Sequence, residues 1–150
     1  NIPNFTFKYG IPLDKATKEF SKYDFAALMI HLTDQTKLNV FHYDTCIPTK
    51  FFTYLSAGLP VIVNKEFGYI ASLVKKHEIG IVISGNEIDS LSEIIKRYDY
   101  EKLKANVKRA REELSMKRHI SRLIKFYEEA CSKSTNSVYK EMAVTGTNKN

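Results

Sequence analysis

Two cysteines in 150 residues, Cys46 and Cys131, are too few and too far apart for a disulfide framework or a zinc site. A reducing, cytoplasmic setting is the simpler expectation. Long apolar runs are also lacking. None reaches the roughly 18 residues of a membrane span, because Asp24, His31 and Lys37 bracket the apolar stretch Phe25 to Ile30. There is no initiator Met, no signal-peptide pattern and no early positive segment. The chain opens at Asn1 beside a strand-like run, which suggests a fragment. No internal repeat is visible.

What is present is ordinary for a globular protein: 43% hydrophobic and 27% charged residues, in a chain long enough for one domain with a real core. The net charge of +6 is unevenly spread, since the segment 96–125 holds eleven Lys and Arg against four Asp and Glu. Basicity is therefore a property of the C-terminal helices. A solvated helix face accounts for it most simply, an anionic membrane surface comes next, and nucleic acid last. The basic region lacks the interleaved aromatics a single-strand binder uses for stacking, so no nucleic-acid partner is expected.

Along the chain, Asn4 to Tyr9 (NFTFKY) alternates apolar and polar residues between Pro3 and Gly10, which predicts a strand. A short helix through Phe20 follows, with Asp14 as its cap. Asp24 to Ile30 is a continuous apolar run of strand length, as expected for a strand covered on both faces. A polar loop, His31 to Ile47, is long enough to be functional. A helix opens at Pro48 and stops at Gly58, and Pro60 to Val63 reads as a buried strand. Ile70, Leu73 and Val74 mark a helix that gives way at Gly80 to a third strand, Ile81 to Ile83. Asn86 or Asp89 can cap the next helix, with Ile88, Leu91, Ile94 and Ile95 on one face. Two amphipathic helices close the domain, carrying Leu103, Val107, Ala110 and Leu114, then Ile120, Leu123, Ile124 and Tyr127. The domain is expected over 1–131. The tail 132–150 reads as mobile or derived in part from an expression vector.

Strands alternating with helices predict an α/β fold, a Rossmann-like parallel sheet flanked by helices. Ligands of such sheets bind beyond the carboxyl ends of the strands. That places the 31–47 loop, the start of the Pro48 helix and the Asn64 to Tyr69 loop on one rim. Lys50 adds a full charge where a helix start already offers free N–H groups and a positive dipole end, an arrangement suited to a diphosphate; the plainer reading is a solvated helix lysine. His42-Tyr43-Asp44-Thr45-Cys46 would project alternate side chains together if extended, but no further ligand pair stands at zinc spacing, so no metal is expected. His31 and His42 are candidate acid–base residues, His77 and His119 surface positions. Phe51 and Phe52 both suit the core, and Gly68-Tyr69 opens a further helix, read equally as an ordinary helix start or as one whose N–H groups face a diphosphate or sugar from the opposite side.

The run PTKFFTYLSAGLPVIV from Pro48, then a Gly-led helix and HEIGIVI, resembles the donor-binding, C-terminal half of GT-B glycosyltransferases. The upstream NFTFKYGIPLDK and SKYDFAAL segments resemble that family too, and the likeness covers about Asn4 to Glu129. The family pattern is roughly P-x-K-x-x-E-Y-x-A-x-G-x-P-V-I. Where many retaining, group 1 members carry two glutamates eight positions apart, this chain has Thr45 and Thr53. A glutamate-free branch, such as occurs among surface-polysaccharide transferases, is the better fit.

The resemblance implies transfer of a sugar from a nucleotide-diphosphate sugar to an acceptor hydroxyl, without a bound metal or other cofactor. The glycan or lipid-linked acceptor and any general base would belong to another domain, so this chain alone is expected to be inactive in transfer. Donor contacts are expected from Thr49, Lys50, Thr53, Tyr54, Gly68 and Tyr69, with Asp44 and Thr45 near the ribose or sugar. No catalytic residue is assigned. Two alternatives stay open: a nucleotide-sugar epimerase of the same architecture, and a non-catalytic nucleotide- or partner-binding module. The basic helices can also hold such an enzyme at the inner face of an anionic membrane, where lipid-linked acceptors reside.

Overall fold

The computed structural model describes residues 6–8, 10–29 and 40–145, with the backbone alone at 40 and 133–145. The chain divides into two compact units, Asn1–Arg111 and Glu112–Asn150.

Three parallel strands form the sheet of the first unit in the order β1 (Ala26–Leu28), β2 (Val61–Asn64), β3 (Gly80–Ile83). Ala26 lies opposite Val61, and Val61 opposite Gly80. The flanking helices are α1 (Leu13–Phe20), α2 (Val40–Thr45), α3 (Thr49–Ser56), α4 (Gly68–His77), α5 (Leu91–Ile95) and α6 (Tyr100–Glu113). This is the expected α/β, Rossmann-like arrangement. All of β2 is buried. Ile62, Ile81 and Ile83 meet Phe25, Met29 and the α5 residues Leu91, Ile94 and Ile95. Alternation turns Val61 and Val63 to the opposite face, where they are equally buried. Helix α6 adds Leu103, Val107 and Ala110, one stripe at helical spacing.

The helices that lead into β2 and β3 stop on left-handed residues. After α3, Gly58 has φ +81°, its N–H donates to the Leu55 carbonyl at 2.9 Å, and the Leu59 N–H reaches that of Tyr54 at 3.1 Å. This paired closure is the Schellman pattern. After α4 the same pattern is built on a non-glycine residue. Glu78 has φ 50°, and the N–H groups of Glu78 and Ile79 donate to Lys75 and Val74. The helix therefore ends before Gly80, contrary to the expected stop at that glycine. Gly80 instead lies inside β3, where an added Cβ would stand 1.9 Å from the Val61 carbonyl oxygen. The sheet register, not the helix, requires it.

Other expectations are corrected as well. Thr6 to Lys8 has no regular structure; Asn4, Phe5 and Tyr9 lie outside the described residues. Asp14 sits in the first turn of α1 and forms no cap, since Pro12 precedes the helix. Strand β1 is only three residues long and Ala27 is exposed, so the cover of the sheet thins at this edge. The expected loop 31–47 contains α2; His31 and the rest of 30–39 lie outside the described residues. Phe51 is fully buried but Phe52 is 42% exposed, because consecutive helical residues point about 100° apart. Ser84 rather than Asn86 or Asp89 starts the turn after β3, with its N–H donating to the Glu87 carboxylate at 2.7 Å. That 3-10 turn, Gly85–Ser90, leaves Ile88 exposed and off the face of Leu91, Ile94 and Ile95.

The second unit is dominated by α7 (Met116–Thr145), which continues past Ser132, where the composition lost its periodicity. Met116, Ile120, Leu123, Ile124 and Tyr127 are exposed along it. Among the described residues no helix is long and apolar enough to cross a membrane.

Candidate functional site

The connection from α3 to β2 is only the turn at Ala57 to Pro60, so the carboxyl end of α3 sits at the amino end of β2. The amino end of α3 therefore lies toward the carboxyl ends of the strands. Helix α4 starts just beyond the carboxyl end of β2, so its amino end points to the same rim. Each helix opens with amides that have no preceding turn to bond to. In α3 these belong to Thr49 and Lys50, while the Phe51 N–H donates to the Pro48 carbonyl at 3.0 Å. Proline lacks a donor, so its place just outside the helix leaves nothing further unsatisfied. Lys50 is exposed, and among the described residues no carboxylate pairs with its ammonium.

At the other helix start, Asn64 ends β2 buried, and the Phe67 N–H turns back to its carbonyl at 3.1 Å. Phe67 is buried and receives the edge of the Tyr43 ring at 5.8 Å between centroids. This contact brings α2 against the start of α4. A Cβ added to Gly68 would stand 1.8 Å from Asp44 Oδ1, so only glycine leaves room for that carboxylate in its present rotamer. Asp44 and Gly68, 24 positions apart, thus share one point of the rim. Tyr69 is 47% exposed beside them.

The helical course of α2 removes the extended alternation on which grouping His42, Asp44 and Cys46 depended. Among the described residues no three His, Cys, Asp or Glu side chains stand together as a metal site. Thr45 and Thr53 turn inward on their own helices. Thr45 Oγ1 donates to the Phe41 carbonyl at 2.8 Å, and Thr53 Oγ1 to the Thr49 carbonyl at 3.3 Å. Their lone pairs remain available as acceptors. Tyr54 packs edge-on against Phe20 of α1, ring centroids 5.4 Å apart, and burial pushes its hydroxyl pKa up.

Glu66 is a residue the sequence motifs do not reveal. It sits in the β2–α4 turn, and its Oε2 is buried with no hydrogen-bond partner among the described residues. Such an acceptor in a native fold calls for an explanation. An acidic residue directly before a helix-opening F-G pair was the available signal.

A family model, the C-terminal domain of glucosyltransferase 3-like proteins, matches residues 3–126. The chain belongs to this family. The matched span of the glucosyltransferase 3-like domain includes the whole sheet and both helix starts of the rim. It stops near the first third of α7. No curated protein and no solved structure matches the chain.

Proposed function

We propose that this glucosyltransferase 3-like domain is the donor-binding, C-terminal half of a GT-B enzyme. It would hold a nucleotide-diphosphate sugar while the sugar passes to an acceptor hydroxyl of a glycan or lipid-linked molecule. The observation that carries the reading is the exposed Lys50 ammonium at the amino end of α3, unpaired among the described residues, with the amino end of α4 on the same rim. In the transfer, the bond from the anomeric carbon to the diphosphate oxygen breaks with its electron pair going to the diphosphate. The acceptor oxygen bonds to that carbon and loses its proton. The negative charge that grows on the leaving group meets Lys50 and the amides of Thr49, Gly68 and Tyr69.

Hydroxyls of ribose and sugar are assigned to acceptors around the rim. Asp44 and Glu66 supply charged acceptors where Thr45 and Thr53 offer only neutral ones. Tyr54, held against Phe20, shapes the wall behind Thr53. The acceptor site and any general base belong to an N-terminal domain across a cleft, as in other GT-B enzymes. The basic segment 96–125 is proposed to draw the protein toward anionic lipid, the location of lipid-linked acceptors.

Thermal shift with a panel of nucleoside diphosphates and their sugars tests the donor site. Stabilisation is expected from at least one base and is expected to vanish in Lys50→Ala, whose fold should be unchanged because the side chain is exposed. A response to no nucleotide, or one that survives Lys50→Ala in full, overturns the assignment and leaves a partner-binding module as the better account.

A further inference from the structure

A second recess lies on the opposite side of the first unit, at the amino end of β3. Its volume is about 420 Å³, and Gly80, Leu103 and Asn106 contribute to its lining. That is the size range of small-molecule sites. The donor rim, at the carboxyl ends of the strands, is the other end of the same sheet.

The charges around this recess do not cancel. Lys75, Arg97 and Lys102 line it against Glu78 and Asp99. Both acids are already engaged: Glu78 pairs with the Lys102 ammonium at 3.1 Å, and Asp99 Oδ1 accepts the Lys102 backbone N–H at 3.0 Å. Among the described residues nothing pairs with the side chains of Lys75 or Arg97. The lining therefore carries three cations against two acids, a net charge of +1, and the two cations without a carboxylate partner among the described residues, Lys75 and Arg97, suit an anionic group. A phosphate monoester carries about −1.5 to −2 at neutral pH, and a guanidinium fork suits its oxygens.

The remaining lining supplies a body for the ligand to rest on. Tyr98, 43% exposed, lines the recess, and Leu103, 5% exposed, adds a small apolar contribution. Asn106 is 5% exposed; its Nδ2 donates to the Glu78 carbonyl at 2.9 Å, and its Oδ1 accepts from Arg109. A carboxamide nitrogen has two hydrogens, so one remains for a ligand oxygen. Glu78 itself holds a left-handed backbone at the wall, a conformation that non-glycine residues keep only when their surroundings impose it.

We infer that this recess binds a small organic phosphate, its monoester group between Lys75 and Arg97 and its carbon body against Tyr98 and Leu103. The site is independent of the donor rim, and so is its test. The intact chain, labelled with nitrogen-15, is titrated with phenyl phosphate, inorganic phosphate and benzoate. Phenyl phosphate should move the amides of Tyr98, Lys102 and Asn106 saturably, with inorganic phosphate weaker and benzoate weaker still. The double variant Lys75→Gln/Arg97→Gln should raise the Kd at least about tenfold, with its amide dispersion showing that the fold is intact. Lys50→Ala should leave this Kd unchanged.

Shifts abolished by Lys50→Ala but retained in the double variant would put the probe in the donor rim and refute the second site. Benzoate binding as tightly as phenyl phosphate would refute the phosphate assignment. Equal binding by wild type and double variant, or no saturable shift at millimolar probe, would refute both.

Discussion

At the scale of single residues, Gly68 and Gly80 lack the same atom for different reasons. A Cβ on Gly80 would stand 1.9 Å from the Val61 carbonyl oxygen and 2.8 Å from its carbonyl carbon and amide nitrogen. The obstacle is a neighbouring strand held on both sides, so it cannot retreat. A Cβ on Gly68 would meet the end of the exposed Asp44 side chain, which can rotate away. Gly80→Ala is therefore expected to destabilise by about 3 kcal/mol or more, at the upper end of overpacking costs. Gly68→Ala should stay within about 1 kcal/mol, since helix propensity favours alanine. Urea unfolding of both variants checks this contrast. Equal losses would mean that Asp44 is fixed in place and that the rim is more rigid than argued.

At the scale of elements, α1 is bound to its surroundings by charge as well as packing. Glu19 accepts from Lys8 and Lys22, joining the Thr6 to Lys8 segment to the helix. Hydrogen bonds from Lys22 and Lys8 hold the Glu19 carboxyl down, from an ordinary value of 4.5 to about 2. The bond to Glu19 correspondingly raises the Lys8 ammonium. A depressed carboxylate contributes stability above its unfolded pKa and loses it as pH falls toward its folded one. The urea midpoint should therefore drop between pH 4.5 and about 2, and Glu19→Gln should shallow that fall. The effect should shrink in high salt, because these groups lie at the surface. An unchanged acid limb in Glu19→Gln would remove this ion cluster from the account of α1.

For the molecule as a whole, the excess positive charge resides in one stretch of sequence, 96–125, and the rest is close to neutral. Attraction to anionic lipid is worth about 1 kcal/mol per basic residue near the surface and fades beyond a Debye length. Co-sedimentation with phosphatidylserine-containing vesicles is expected at low salt and should fall steeply by 0.5 M salt. Binding that persists there would point to insertion of the apolar residues exposed on α7 instead. Much of the architecture was legible in advance. The order of the three sheet strands, the burial of β2 and the starts of α3 and α4 follow from apolar runs, Pro48 and Gly58, whereas the expected first strand and the helix α2 did not. The sequence also showed Thr45 and Thr53 standing where the resembling family has acids. Glu66, the second recess and the role of Gly80 were not legible, because each depends on residues far apart in the chain.

The sequence alone determined what contiguous residues can encode: periodicity chose helix or strand, proline and glycine set the ends of α3, and Lys50 marked a helix start with charge. Tertiary structure decided which of those features meet. It placed Asp44 over Gly68, fitted Gly80 against Val61, and forced a left-handed turn on Glu78 where no glycine announced one. The physical reason is steric. Close approach between distant segments depends on the packed positions of both, and neither segment carries that information by itself.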